Sequence, residues 1–240
     1  MAPISLFRLN FVMSKLYVRE TLSETASLST SVQDYVKELY KLQAGGRAST
    51  SALAGRMGVA PASATAMLKK LAQLGLAEHE PYRGARLTRR GELVAIEMIR
   101  HHRLLEQYLS TQLGLPLEAV HAEADRLEHA LSEELEALID ASLGFPTHDP
   151  HGDPIPSASL ELDLAPERSL ADVEVGASAT VSRVPDTDRE LLRYLGELGI
   201  LPGARVAVRN QEPFGGPVVV RAGGADRAIA RELAARIGVV

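Results

Sequence analysis

The chain has 240 residues, 45% of them hydrophobic, a formal net charge of -5 and no cysteine. It is long enough to bury more than one core, and no segment approaches the roughly 18 apolar residues of a membrane-spanning helix. The lack of cysteine excludes disulfides, zinc fingers and iron–sulfur ligation and suits a reducing cytoplasm, so any bound metal has to be held by nitrogen and oxygen.

Charge is unevenly spread. Residues 31–105 hold 12 Lys/Arg against 6 Asp/Glu, residues 106–174 hold 2 against 16, and residues 175–240 hold 9 against 7. A basic block able to meet phosphates therefore precedes an acidic block able to bind cations or simply to stay solvated.

Residues 1–28 have an apolar start and scattered charge without a signal-peptide pattern, and are expected to be a disordered leader, with Met13 as a possible start. From Ser31 to Gln43, the residues Val32, Tyr35, Val36, Leu39, Tyr40 and Leu42 recur at helical spacing. A short helix capped near Ser49, Thr50 or Ser51 follows and stops at Gly58. A second starts at Pro61, which a first helical turn tolerates, with Ala64, Met67, Leu68, Leu71 and Leu74 on its buried face. Two short helices around a tight Gly turn make a helix-turn-helix. The alternating segment after it, turning at Tyr82-Arg83-Gly84, predicts a two-stranded wing. Exposed Ala62, Ser63, Thr65, Lys69 and Lys70 on the second helix, with Ser49, Thr50 and Ser51 ahead of the first and Tyr82, Arg83 and Arg86 on the wing, form a candidate DNA-binding surface. Its cations suit phosphates, and its short side chains suit base edges and DNA shape.

A long helix is expected over Thr88–Gln112 and another over about Leu117–Ala141. The first carries His102 and Glu106 one turn apart. The second carries His121, Asp125, Glu128 and His129 on one stripe, beside a packing stripe of Leu127, Leu131, Leu135 and Leu138. Imidazoles and carboxylates converging beside a buried surface can coordinate a divalent ion. His79, His101, His148 and His151 lack such partners and read as solvated. Residues 144–168 are rich in Pro, Gly, His and Asp and predict a linker. Short strands with one helix, LLRYLGELGI, then predict a small β-barrel.

The segments SVQDYVKELYKL, HHRLLEQYL, VHAEADRLEHALS and FGGPVVVRAGG resemble the diphtheria toxin repressor and manganese transport regulator family over residues 30–240. The resemblance implies an α+β chain with an N-terminal winged helix-turn-helix at residues 29–93, a helical dimerisation and metal-binding domain at 94–144, a Pro-rich tether at 145–168 and a C-terminal SH3-like β-barrel at 169–240. It implies a primary metal site of Asp34, Asp125, Glu128 and His129, an ancillary site of His102, Glu106 and His121, and C-terminal ligands near Asp188 and Glu190. Manganese-responsive members carry Glu where this chain has Lys37. The implied function is a cytoplasmic homodimer that binds a palindromic double-stranded operator when a divalent ion is present. Carboxylate and imidazole donors suit Mn(II), with Fe(II), Co(II) and Zn(II) as competitors. From the residues alone, a metal-dependent hydrolase and a metal-independent winged-helix regulator are the alternatives.

Overall fold

The computed structural model describes residue 25 and residues 27–43, 46–163, 167–186 and 188–240. Of the leader expected over residues 1–28, residues 1–24 and 26 lie outside them, while Thr25 is buried. These residues divide into two compact units. One comprises residues up to His101 with Leu127–Glu136 and Pro156–Leu162; the other comprises His102–Arg126, Ala137–Ile155 and Asp163–Val240.

The first unit opens with helix α1 (Thr30–Leu42), followed by α2 (Thr50–Met57) and α3 (Pro61–Gln73). The Ser49 hydroxyl accepts from Ala52 N and caps α2, Gly58 ends it at φ 63, and Pro61 begins α3. Val36, Leu39, Leu53, Leu68, Leu71 and Leu76 are fully enclosed at their meeting point. Leu74, read as part of the buried face of α3, is instead a half-exposed C-cap.

Strands β1 (Ala77–Glu80) and β2 (Gly84–Leu87) pair antiparallel as the wing. Ala48 bridges Ala85 on the far edge of β2. Gly84 is required there: at φ +85, an added Cβ would stand 2.3 Å from the Ala48 carbonyl oxygen. The Thr88 hydroxyl then accepts from Gly91 N and starts α4 (Arg89–Thr111).

The helix expected over 117–141 is broken. Helix α5 covers Leu117–Leu127, a 3-10 turn covers Glu128–Ala130, and α6 covers Glu133–Ser142. Leu131 is extended at φ -72 and ψ 120, and the Ser132 hydroxyl accepts from Leu135 N as a fresh N-cap. Glu128 and His129 thus sit on a tighter turn than a continuous stripe implies. The expected packing stripe also differs, because Leu127, Leu135 and Leu138 are exposed.

In the second unit, β3 (Arg168–Ser169), β4 (Ser178–Arg183), β5 (Arg205–Gln211), β6 (Val218–Ala222), β7 (Ala225–Ile229) and β8 (Gly238–Val239) form one six-stranded sheet in the order β3-β8-β4-β5-β6-β7. Every pairing is antiparallel. Helices α7 (Arg189–Leu198) and α8 (Arg231–Ala234) accompany it. Alternation along the strands drives Val181, Val206, Val208, Val218 and Val220 into a core with Leu170, Leu195, Ile200, Ile229 and Ile237.

Among its described residues, the segment read as a tether has no helix or strand before Arg168, yet part of it is locked in place. Asp149, His151 and Ile155 are buried, and Val184 N donates to His151 O at 2.9 Å. At Gly152, φ +95, an added Cβ would lie 1.9 Å from Ser182 O of β4.

Candidate metal centre

In the first unit, α1 and the 3-10 turn bring Asp34, Glu128 and His129 together. His129 Nε2 lies 3.1 Å from Asp34 Oδ1 and 3.6 Å from Glu128 Oε1. The Glu128 side chain is fully enclosed, and Lys37 Nζ, one turn beyond Asp34, donates to its Oε1 at 2.5 Å. The His129 Nδ1 edge faces Gln33 Oε1 at 2.7 Å.

His101, read as solvated, is buried. Its Nδ1 is 3.2 Å from Glu128 O, and its Nε2 is 2.8 Å from Glu136 Oε2. Burial opposes charging of this ring, but the Glu136 carboxylate outweighs burial and raises its pKa. A cavity of about 510 Å³ borders this cluster, lined by Gln33, Glu97, His101, Glu128 and His129 among others. Burial pushes the Glu97 carboxyl in that lining up to about 7.

In the second unit, the i, i+4 pair on α4 meets the histidine of α5. Glu106 Oε1 lies 3.0 Å from His102 Nε2 and 2.9 Å from His121 Nδ1, and those two nitrogens are 3.0 Å apart. Two imidazole nitrogens and a carboxylate oxygen at this spacing need a proton or a cation between them. Asp125 faces the same histidines, with Oδ1 3.3 Å from His102 Nδ1 and Oδ2 3.6 Å from His121 Nε2. Asp125, expected with the primary ligands, makes these contacts without being removed from that expected set.

The other oxygen of Glu106 faces residues that the spacing did not reveal. His151 Nδ1 is 3.7 Å from Glu106 Oε2, and Glu106, Asp149 and His151 each offer a ligand atom within 4.8 Å of the others. His151, expected to be solvated, is completely buried. Its Nε2 is 3.2 Å from Leu117 O, a carbonyl that can only accept, so Nε2 carries a proton and Nδ1 is the atom that faces Glu106. Asp149 Oδ1 accepts from His151 N and Asp153 N, each at 2.9 Å. The remaining atoms, Glu106 Oε2, Asp149 Oδ2 and His151 Nδ1, are buried without hydrogen-bond partners among the described residues. Three such atoms facing one another, with Arg103 Nε 3.8 Å from Asp149 Oδ2, suit a divalent cation or, in its absence, a shared proton. Burial opposes ionisation of Glu106, but hydrogen bonds from His102 and His121, with the His151 ring close by, outweigh it and hold its carboxyl well below the usual range. Burial and the Glu106 charge push the Asp149 carboxyl up to about 8.

The C-terminal ligands are corrected. Asp188 is the N-cap of α7, its Oδ1 accepting from Glu190 N and Leu191 N, and Glu190 is an exposed first-turn residue. An Asp ahead of an apolar helical run is a capping signature, and the side chain is spent on it. Asp186 is the residue that approaches, with Oδ2 3.9 Å from His121 Nδ1.

On the DNA-binding unit, Ala62, Ser63, Lys69 and Lys70 are exposed along α3, as is Ser51 on α2. Thr50 and Thr65 are half-buried, and the Thr65 hydroxyl donates to Pro61 O. Tyr82 stands fully exposed at the wing tip with φ 64. Arg83 and Arg86 pair with Glu80 and Glu78, and Arg47, absent from the sequence reading, joins both glutamates. Exposed pairs of this kind contribute little because solvent screens them, so phosphates can displace the carboxylates.

Three family models cover nearly all of this geometry. The iron dependent repressor N-terminal DNA binding domain matches residues 27–85, its metal binding and dimerisation domain matches 88–157, and the FeoA domain matches 168–240. The iron-dependent repressor IdeR of Mycobacterium tuberculosis is 31% identical over 226 residues, covering 88% of this chain and 97% of that protein. The chain belongs to the iron-dependent, or diphtheria toxin, repressor family. The diphtheria toxin repressor of Corynebacterium efficiens is 28% identical over 77% of this chain and 85% of that protein. A solved manganese-dependent transcriptional repressor in complex with manganese is 40% identical, with a TM-score of 0.79 over 87% of this chain and 99% of the other. This family member is therefore a metal-dependent, DNA-binding repressor with a dimerisation domain, and not an enzyme, which sets the hydrolase alternative aside. No described helix is long and apolar enough to cross a membrane.

Proposed function

We propose that this repressor is a cytoplasmic manganese sensor. Asp34, Glu128 and His129 hold the ion that governs DNA binding, and a second ion is held around Glu106. One observation carries the reading: Asp34, on the first helix of the winged-helix domain, lies 3.1 Å from a ring nitrogen of His129 on the 3-10 turn. Residues separated widely in sequence thereby share one cluster. An ion bound there supplies the positive charge that lets the acidic groups converge. Asp34 then anchors α1, and α1 anchors the helix-turn-helix packed on Val36 and Leu39. Since metal favours the binding-competent arrangement, DNA must tighten metal binding in return.

The donors at both clusters are carboxylate and imidazole, a set that suits Mn(II), although raw affinity still rises toward later metals. Fe(II) is the second reading, supported by the iron-dependent relatives. The second ion has Glu106, Asp149 and His151 as its core ligands, with His102 and His121 on the opposite edge of Glu106. The exposed Leu127, Leu135 and Leu138 lie within the matched dimerisation region and form part of the face that pairs two copies. Two winged helices so joined address half-sites of a palindromic operator. Domain limits at residues 29–93, 94–144, 145–168 and 169–240 belong to the same proposal.

The test is operator binding to the DNA upstream of the chain's own gene, measured with Mn(II), Fe(II), Zn(II) and no metal, for the parent protein and Asp34→Ala. Metal-dependent binding that Asp34→Ala abolishes supports the reading. Binding that is the same without metal, or unchanged in the variant, rejects it.

A further inference from the structure

We infer that Gln33 is a positioning residue for the metal ligand His129, and that main chain upstream of α1 sets its orientation. The inference rests on the first-cluster reading above. Its core is a hydrogen-bond chain whose direction can be worked out atom by atom.

Gln33 is buried on α1, beside Asp34. Its Nε2 donates to the carbonyl oxygen of Thr25 at 2.9 Å. A carbonyl oxygen can only accept, so this end of the amide has to be the NH2 group; the flipped amide would set two oxygens against each other. The other end, Oε1, is therefore the one 2.7 Å from His129 Nδ1. An amide oxygen can only accept as well, so His129 Nδ1 carries a proton. In the neutral ring this leaves the lone pair on Nε2, the atom facing Asp34 Oδ1 and Glu128 Oε1. Gln33 thus selects the tautomer that can bind an ion in the direction of the two carboxylates. Outer partners that fix a ligating histidine in this way act on affinity, typically by 10–100-fold.

Thr25, at the far end of this hydrogen-bond chain, is itself 2% exposed, although the sequence places it in the leader. A residue ahead of the winged helix therefore reaches the ion cluster through one amide. The acceptor is a main-chain carbonyl, while the Thr25 side chain is hydrogen-bonded separately to Glu97.

Two variants and two readouts test this. In metal-free protein, nitrogen-15 NMR of the His129 ring reports which nitrogen carries the proton. The parent should show Nδ1–H, Gln33→Leu a mixture weighted toward Nε2–H, and Gln33→Glu, whose carboxylic acid form can donate to Thr25 O while its other oxygen accepts from His129, Nδ1–H again. Mn(II) titration should show the first-cluster affinity falling 10–100-fold in Gln33→Leu and recovering in Gln33→Glu, with the Glu106 cluster unchanged as an internal control. Parent protein with no proton on Nδ1, or Gln33→Leu with unchanged tautomer and affinity, overturns the inference. Asp34→Ala, titrated in parallel, separates the two readings. If it removes binding while Gln33→Leu does not, the role of Gln33 fails alone; if it leaves binding intact, the cluster itself is misassigned.

Discussion

Lys37 Nζ lies 2.5 Å from Glu128 Oε1, with 8% and 0% of the two side chains exposed. The pair places an ammonium beside a carboxylate that the ion cluster also uses. Lys37 supplies part of the positive charge that Glu128 needs, which leaves less for a second ion in the same cluster to neutralise.

Replacing Lys37 by Met should therefore leave an uncompensated buried carboxylate. Breaking such a pair costs about 3–5 kcal/mol. The metal-free variant should melt well below the parent in calorimetry, and saturating Mn(II) should recover most of the difference. A loss of the same size with and without metal would show that the ammonium and the ion do not serve the same group.

The Glu106, Asp149 and His151 cluster makes a stoichiometric prediction. His151→Ala and Asp149→Asn should each bind one fewer Mn(II) per chain by equilibrium dialysis with elemental analysis, while Asp34→Ala loses a different one. A double variant of Asp34 and His151 should then lose both. Full occupancy in His151→Ala would remove His151 from the ligand set.

Glu97 predicts how stability varies with pH. Burial raises its carboxyl from 4.5 to about 7 in the folded protein, so between those values the folded state holds a proton that the unfolded state has released. The stabilising contribution is complete below about 4.5 and is lost as pH rises through about 7. The shift corresponds to roughly 3 kcal/mol. Glu97→Gln should therefore be more stable than the parent at pH 8 and similar at pH 5, measured by urea unfolding without metal. A variant less stable at both values contradicts this.

For DNA, Lys69→Ala and Arg83→Ala should each weaken operator binding across all sequences and reduce the slope of log affinity against log salt by about one. Both side chains are exposed on the proposed face. An unchanged salt slope in both would move the phosphate contacts elsewhere.

The architecture was legible wherever periodicity carried it. The spacing of Val32, Val36 and Leu39, the glycine stop at Gly58, Pro61 at a helix start and the turn at Gly84 are local signals with local causes, and all appear as read. The His102 and Glu106 pair was visible for the same reason. What escaped was governed by long-range packing. His151 and Asp149 sit in an irregular Pro- and Gly-rich stretch with no period to mark an inward face, so only the fold shows that they are buried beside Glu106. The break at Leu131 was obscured because leucines on both sides keep helical spacing; the available signal was Ser132 followed by acidic residues, a helix start inside an apparent helix. Asp188 misled because caps and ligands draw on the same side chain.

Helix α1 carries the orienting amide of Gln33, the carboxylate of Asp34 and the ammonium of Lys37 within little more than one turn, and all three meet residues of the 3-10 turn. Because they ride on one rigid rod, rotation of the rod removes them together. The cluster then has two states, assembled or dismantled, with no stable intermediate of one contact kept and two lost. A sensor built this way has no half-engaged form, since whatever seats one of the three seats the others.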